Sequence, residues 1–285
     1  MNAKPEFKKL DKQGLLTLVE WATKEGWNPG LHDAEAFWST DSDGFYGYFI
    51  ADEMIGGGSL VSYSGHFGFM GFFIMKPEYR GMGLGRQLWY QRRDLLLSRL
   101  QPDAPIGMDG MVAMQDFYAK GGFKLAFKDL RYVRVGEKFD YHQAVTSITE
   151  EDFIQLSDYD KSCFGYDRRN FITYWIHLPE SSCYKYAVGG EIKGYAVVRK
   201  AFIGYKIGPL FANDYGIAEE LYKACLSFAN KEQVYLDIPL VNESANRLVD
   251  KFNATMVFEC GRMYYGQPPI LPVEKIFGIT SYELG

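Results

Sequence analysis

The sequence predicts a mixed α/β fold, an α+β mixed-sheet unit occurring twice in tandem. Three observations lead there. At 285 residues the chain exceeds what one compact core usually needs. Its first half runs through two short helices, a series of hairpin strands, a long helix and a closing strand-helix-strand, which is not the alternation of a doubly wound sheet. The same order recurs after residue 145.

The first helix is expected over 13–24, where Leu15, Leu16, Leu18, Val19 and Ala22 fall at helical spacing. Asn28-Pro29-Gly30 breaks the chain, and a short helix follows over 33–38. Strands are expected over 45–51, 54–63 and 66–75, with turns at Asp52-Glu53 and Ser64-Gly65. Gly56-Gly57-Gly58 within the second of these marks a bulge or a close backbone approach. A Pro/Gly/Arg loop over 76–84 opens a helix over 86–100. A strand over 105–109, a helix over 112–120 stopped by Gly121-Gly122, and a strand over 123–135 complete the first unit.

Residues 136–149 are charged and aperiodic and read as a connector. The division is therefore 1–136 and 145–285. In the second unit, helices are expected over 150–161 and 168–178 and strands over 183–188, 192–200 and 203–211. A strong helix over 215–229 carries Ile217, Leu221, Ala224, Cys225 and Phe228 on one face. A strand over 234–238, a helix over 244–252 and a strand over 256–265 follow. The tail, 267–285, begins with Pro268-Pro269 and is expected to run over the surface.

Composition narrows the function. The net charge of -5 argues against a nucleic-acid partner, which requires clustered Lys and Arg. No apolar run reaches the ~18 residues of a membrane span, and Met1 to Glu6 shows no apolar leader segment, so a cytoplasmic location is expected. The four cysteines, Cys163, Cys183, Cys225 and Cys260, form no close pair and are expected to be buried and reduced. The four histidines form no metal-ligand spacing, so no metal is expected.

The stretch Phe72 to Arg86 is the most informative. A strand enters a glycine-rich loop, and the loop opens a helix. Helix N-termini present free N–H groups and a positive dipole end, which hold phosphate. Arg80 and Arg86 add charge-assisted donors. A Walker A loop needs Gly-Lys followed by Ser or Thr, and Gly85-Arg86-Gln87 has neither. A dinucleotide fingerprint counted from Gly81 and Gly83 needs its third glycine where Arg86 stands.

The pattern Pro77-x-x-Arg80-Gly81-x-Gly83-Leu84-Gly85 resembles the pyrophosphate loop of the GNAT superfamily of acyl-CoA-dependent N-acyltransferases. The resemblance implies two tandem GNAT-like domains and acetyl-CoA as cosubstrate. It implies that Arg80, Gly81, Met82, Gly83, Leu84, Gly85 and Arg86 wrap the diphosphate, while Phe73, Ile74 and Met75 meet the pantetheine arm and the thioester oxygen. Tyr118-Ala119-Lys120-Gly121-Gly122-Phe123 is similar to the family's Tyr-x-x-x-Gly-Phe, which implies that Tyr118 protonates the departing thiolate. Met111 stands where many members carry Asn. In the second half, Asp214 occupies the loop region and Phe252 the tyrosine position, so that half resembles a degenerate domain that covers the acceptor. Leu236-Asp237-Ile238-Pro239 and Phe277-Gly278-Ile279-Thr280-Ser281 resemble the tandem subgroup.

The expected reaction is direct acetyl transfer to a primary amine of a small molecule, by a monomer or homodimer. An alkylamine with a pKa near ~10 is mostly protonated at neutral pH, so a base is needed. Asp109 is the expected carboxylate by position, and Trp27, Asp33 and Asp237 are expected at the acceptor. Two other readings stay open: acetylation of a protein or peptide amine, and a non-catalytic CoA-binding sensor.

Overall fold

The computed structural model describes residues 4–285; Met1 to Ala3, on which part of the leader argument rests, lie outside the described residues. Strand β1 (Glu6–Lys9), not expected from the sequence, precedes α1 (Lys12–Lys24). Asp11 caps α1 by accepting from the Gly14 N–H at 2.8 Å, and Leu15, Leu18, Val19 and Ala22 bury one face. Helix α2 (Asp33–Thr40) runs two residues past its expected end.

Two predicted strands are each broken in the middle. The second becomes β3 (Glu53–Ser59) and β4 (Val61–Tyr63), and the third becomes β5 (Phe67–Phe69) and β6 (Ile74–Met75). The pieces belong to different sheets. β1, β2 (Phe45–Ile50), β3 and β6 make a four-stranded sheet, while β4 and β5 begin a long mixed sheet. Phe72 takes φ +50° at the second break. β5 pairs in parallel with β7 (Ile106–Met111) only at Gly68–Ile106 and Phe69–Gly107; beyond Gly71 the chain turns away to pair with β3. The result is a V-shaped opening between β6 and β7. The glycine run in β3 permits close approach, because a Cβ on Gly58 would meet the guanidinium of Arg92.

Helix α3 (Leu84–Ser98), the short α4 (Gln115–Lys120) and β8 (Phe123–Val135) close the first half. The second half comprises β9 (Val145–Ser147), α5 (Phe153–Phe164), α6 (Arg169–Trp175), β10 (Ser181–Val188), β11 (Glu191–Lys200), β12 (Tyr205–Ala212), α7 (Tyr215–Phe228), β13 (Gln233–Pro239), α8 (Glu243–Lys251) and β14 (Thr255–Tyr265).

The long sheet runs β4-β5-β7-β14-β8-β13-β12-β11-β10-β9. β8, from the first half, pairs with β13 and β14 of the second, and β14 also pairs with β7 of the first. The halves thus exchange their last strands. The sheet runs unbroken across the expected connector at 136–149, which itself contributes β9. Three buried Arg–carboxylate pairs cross the seam: Asp33–Arg199, Arg131–Asp237 and Asp109–Arg262. Phe37 of α2 stacks on Trp175 of α6 at 6.0 Å, so the helical layers also join.

The tail departs from its expected surface course. Ile270 is exposed, but β15 (Ile276–Gly278) then pairs with β12, and Phe277, Ile279, Ser281 and Leu284 are buried. The Tyr63 hydroxyl donates to the Leu284 carbonyl at 2.8 Å. The apolar residues here and the open edge of β12 supply the reason: both are satisfied by pairing.

Candidate active site

The loop between β6 and α3 is built to leave space. Gly81 and Gly83 have φ +76° and +79°, and a Cβ on either would meet nothing within 4 Å. A left-handed backbone favours glycine there, and the missing side chains leave the N-terminus of α3 open. Met82 points to solvent and Leu84 packs beside Leu88, so those two offer the loop only their backbone. Arg80 donates from Nε to the Met75 carbonyl at 2.8 Å and from Nη2 to the Glu25 carboxylate. Arg86 lies over the Tyr90 ring and borders the same space.

The strand side of the V supplies donors. The Lys76 N–H donates to the Ile55 carbonyl, and Ile74 lies opposite Gly57. Antiparallel alternation therefore turns the N–H groups of Phe73 and Met75 away from β3, into the V. Arg92 of α3 braces the apex: fully buried, it donates to the carbonyls of Ser59 and Gly71, the latter at 2.7 Å. Burial pushes its guanidinium down to about 9. No motif in the sequence marks Arg92; its role depends on where β3 and β5 break.

Loop and strand open into one cavity of about 470 Å³ that runs to the seam between the halves. Tyr118 lines it, 5% exposed, its ring stacked on Trp89 at 5.9 Å. Gly110 makes room for that ring. Burial raises the phenol above its ordinary value, with Arg92 opposing, so it holds its proton at neutral pH. No protein group bonds the hydroxyl among the described residues.

The expected base is engaged in an ion pair. Asp109 borders the cavity, but Arg262 takes both its oxygens at 2.6 and 2.9 Å. Asp129 lies beside it, and burial and the Asp109 charge push that carboxyl well above the usual range. Asp33 and Asp237 also depart from their expected place. Asp33 is wholly buried, accepting from Arg199 Nε at 2.8 Å and from the Gly30 N–H at 2.9 Å. Asp237 is held by Arg131 at 2.6 and 2.8 Å and stands behind it. In each case an arginine unseen in the sequence pattern neutralises the carboxylate. Trp27 does line the cavity, and Arg131 Nη1 donates to its carbonyl at 2.7 Å.

The remaining wall comes from residues not anticipated: Phe258 and Cys260 of β14, and Tyr282 and Glu283 of the tail. Only the strand exchange and the inserted tail place them there, and neither has a local sequence signal. Burial, then Asp109 and Asp129, raise the Cys260 thiol, which favours its protonated form.

The corresponding opening of the second half is filled. β15 pairs with β12 there, and a Cβ on Gly208 would meet the Thr280 carbonyl. Asp214 caps α7 by accepting from the Ile217 N–H at 3.0 Å, which puts a carboxylate where a phosphate would rest.

Family models match both halves: the acetyltransferase (GNAT) family over residues 12–123 and an acetyltransferase (GNAT) domain over 156–278. The chain belongs to the GNAT acetyltransferases. It is a tandem GNAT protein and an acyltransferase of that type. Holothin acyltransferase of Pseudoalteromonas sp. (strain SANK 73390) is 29% identical over 93% of this chain and 90% of its own. The uncharacterized N-acetyltransferase YitH of Bacillus subtilis (strain 168) is 24% identical over the full length of both. A Pyrococcus horikoshii structure described as a candidate acetyltransferase superposes with a TM-score of 0.83 at 20% identity, covering 99% of this chain and 96% of that one. A tandem GNAT protein from the clavulanic acid biosynthesis pathway gives 0.64 at 12% identity, covering 94% and 100%. Members of this family use acetyl-CoA or another acyl-CoA. No described helix is long and apolar enough to cross a membrane.

Proposed function

We propose that the chain transfers acetyl from acetyl-CoA to a primary amine of a small molecule by direct attack. In this reading residues 1–136 hold the donor, and 145–285 cover the acceptor without binding CoA. The observation that carries it is the continuity of one cavity from the open N-terminus of α3, past Tyr118, to the aromatic wall at the seam.

The residues fit the donor. The bare backbone at Gly81 and Gly83, with Arg80 and Arg86 beside it, suits a diphosphate. The thioester supplies the activated acyl group. The N–H groups of Phe73 and Met75 offer hydrogen bonds to its oxygen as negative charge builds. Tyr118, kept as a phenol, gives its proton to the leaving sulfur. Cys260, kept as a thiol, leaves the amine as the attacking group.

The acceptor end favours a small, ring-bearing amine. Trp27, Phe258 and Tyr282 present rings, and Arg131 lies over the last two at 5.6 and 5.0 Å. Both halves and the tail wall this end, which suits a small acceptor. The Pseudoalteromonas relative is named for a compound, holothin, which agrees with this reading.

The test follows thiol release from acetyl-CoA with phenethylamine, 4-methoxyaniline, glucosamine and a lysine peptide in turn. Turnover of a small amine exceeding that of the peptide is the expected outcome. Preference for the peptide supports protein acetylation, and tight acetyl-CoA binding with no turnover supports a sensor.

A further inference from the structure

The C-terminal tail brings to the cavity one acidic residue whose carboxylate has no partner among the described residues. Glu283 is 2% exposed and lines the cavity, and Oε2 is buried without a hydrogen bond. Asp33 is held by Arg199, Asp237 by Arg131 and Asp109 by Arg262; Asp129 also lacks a hydrogen bond, but it does not line the cavity. The charged groups near enough to act on Glu283 include Lys206 of β12, Asp33 of α2, Arg131 of β8 and Arg199 of β11. Lys206 is equally short of partners: its Nζ is buried, makes no hydrogen bond, and lies 3.7 Å from Asp237. None of these cations closes on Glu283.

The backbone fixes where this carboxylate sits. The Glu283 carbonyl rests against Gly71, at a spot that any side chain on Gly71 would occupy. Ser59 Oγ reaches the same carbonyl at 3.5 Å. Gly71 stands at the apex of the V, two residues before Phe73, whose N–H turns away from β3 into the V. The tail therefore delivers Glu283 to the junction of the donor slot and the acceptor wall.

We propose that the carboxylate of Glu283 takes the proton of the acceptor amine, so that the last residues of the chain complete the catalytic site of the first half. This rests on the acetyl-transfer reading above. Glu283 first takes the ammonium proton of an alkylamine and passes it to solvent. The neutral nitrogen then bonds to the acyl carbon and the C–S bond breaks; the nitrogen gives up a further proton to Glu283, and the sulfur takes the Tyr118 proton. Proton exchange with solvent then returns both groups to their starting state, leaving amide and thiol. Burial raises the Glu283 carboxyl, as a base for an amine requires.

The test compares wild type, Glu283→Gln and Glu283→Asp with two probes: phenethylamine, an alkylamine mostly protonated at neutral pH, and 4-methoxyaniline, mostly uncharged there. Glu283→Gln is expected to lower kcat on phenethylamine by about 100-fold or more, and by less on 4-methoxyaniline. The acid limb of its kcat/KM profile should vanish, acetyl-CoA affinity should hold, and Glu283→Asp should recover part of the rate. Wild-type rates in Glu283→Gln, or equal losses on both amines with the acid limb intact, would overturn the assignment alone. A wild type that binds acetyl-CoA and acetylates no amine overturns the acetyl-transfer reading, and this assignment with it.

Discussion

Arg262 of β14 grips Asp109 of β7 through two hydrogen bonds of 2.6 and 2.9 Å, and the pair ties a long strand of the second half to the first. Both side chains are almost wholly shielded from water. Asp109 is therefore a seam residue beside the cavity, engaged on both of its oxygens.

Breaking that pair strands a buried charge, which costs about 3–5 kcal/mol. Asp109→Asn and Arg262→Met should each lower unfolding free energy in urea by that order. Asp109→Asn should keep turnover within about tenfold at a temperature where it stays folded, since the loss of one general base costs about 100-fold or more. Normal stability with abolished turnover would restore Asp109 as the base.

Asp129 makes the seam sensitive to pH. Its carboxyl is raised, so the folded chain binds more protons there than the unfolded chain. That contribution is full below the unfolded value, near ~4, and is lost as pH climbs through the raised one. Glu283 acts in the same direction. Asp129→Asn removes the larger shift, so the fall in melting temperature from pH 5 to pH 8 should shrink. An unchanged fall would show that Asp129 ionises freely.

Tyr118→Phe keeps the ring on Trp89 and removes only the proton donor. It should lower kcat by about 100-fold with acetyl-CoA affinity unchanged. Because burial raises the phenol, the wild type should show no alkaline loss of kcat from Tyr118 below pH ~10. Stopped-flow detection of thiol release checks both.

Cys260→Ala removes the single thiol bordering the cavity among the described residues. Direct attack predicts turnover within about twofold and no acylated protein by mass spectrometry, since covalent catalysis would need a thiolate. An acetyl adduct on wild-type Cys260 that forms and decays at the turnover rate would require a covalent route.

The sequence made local matters legible. Helical periodicity placed α1 and α7 within a residue or so, and the glycines after Arg80 marked the phosphate loop because a helix start and its backbone are encoded side by side. What depended on pairing between distant segments stayed hidden. His66–Met75 reads as one apolar strand, yet its two ends join different sheets, and the break that opens the V has no local signal beyond Gly71. The carboxylates Asp33, Asp109 and Asp237 looked available because Arg199, Arg262 and Arg131 approach them from more than 100 residues away in sequence. The tail, opened by two prolines, looked like a surface strap, and only the empty edge of β12 shows why it turns inward.

Titration of acetyl-CoA into wild type and Gly83→Val by calorimetry tests the account most directly. Valine at a left-handed position costs about 1–2 kcal/mol of stability, which melting will show as a modest loss. Its side chain would also fill the open space before α3, so affinity should fall at least about tenfold, or ~1.4 kcal/mol. An unchanged affinity in the folded variant would contradict the claim that this loop holds the diphosphate.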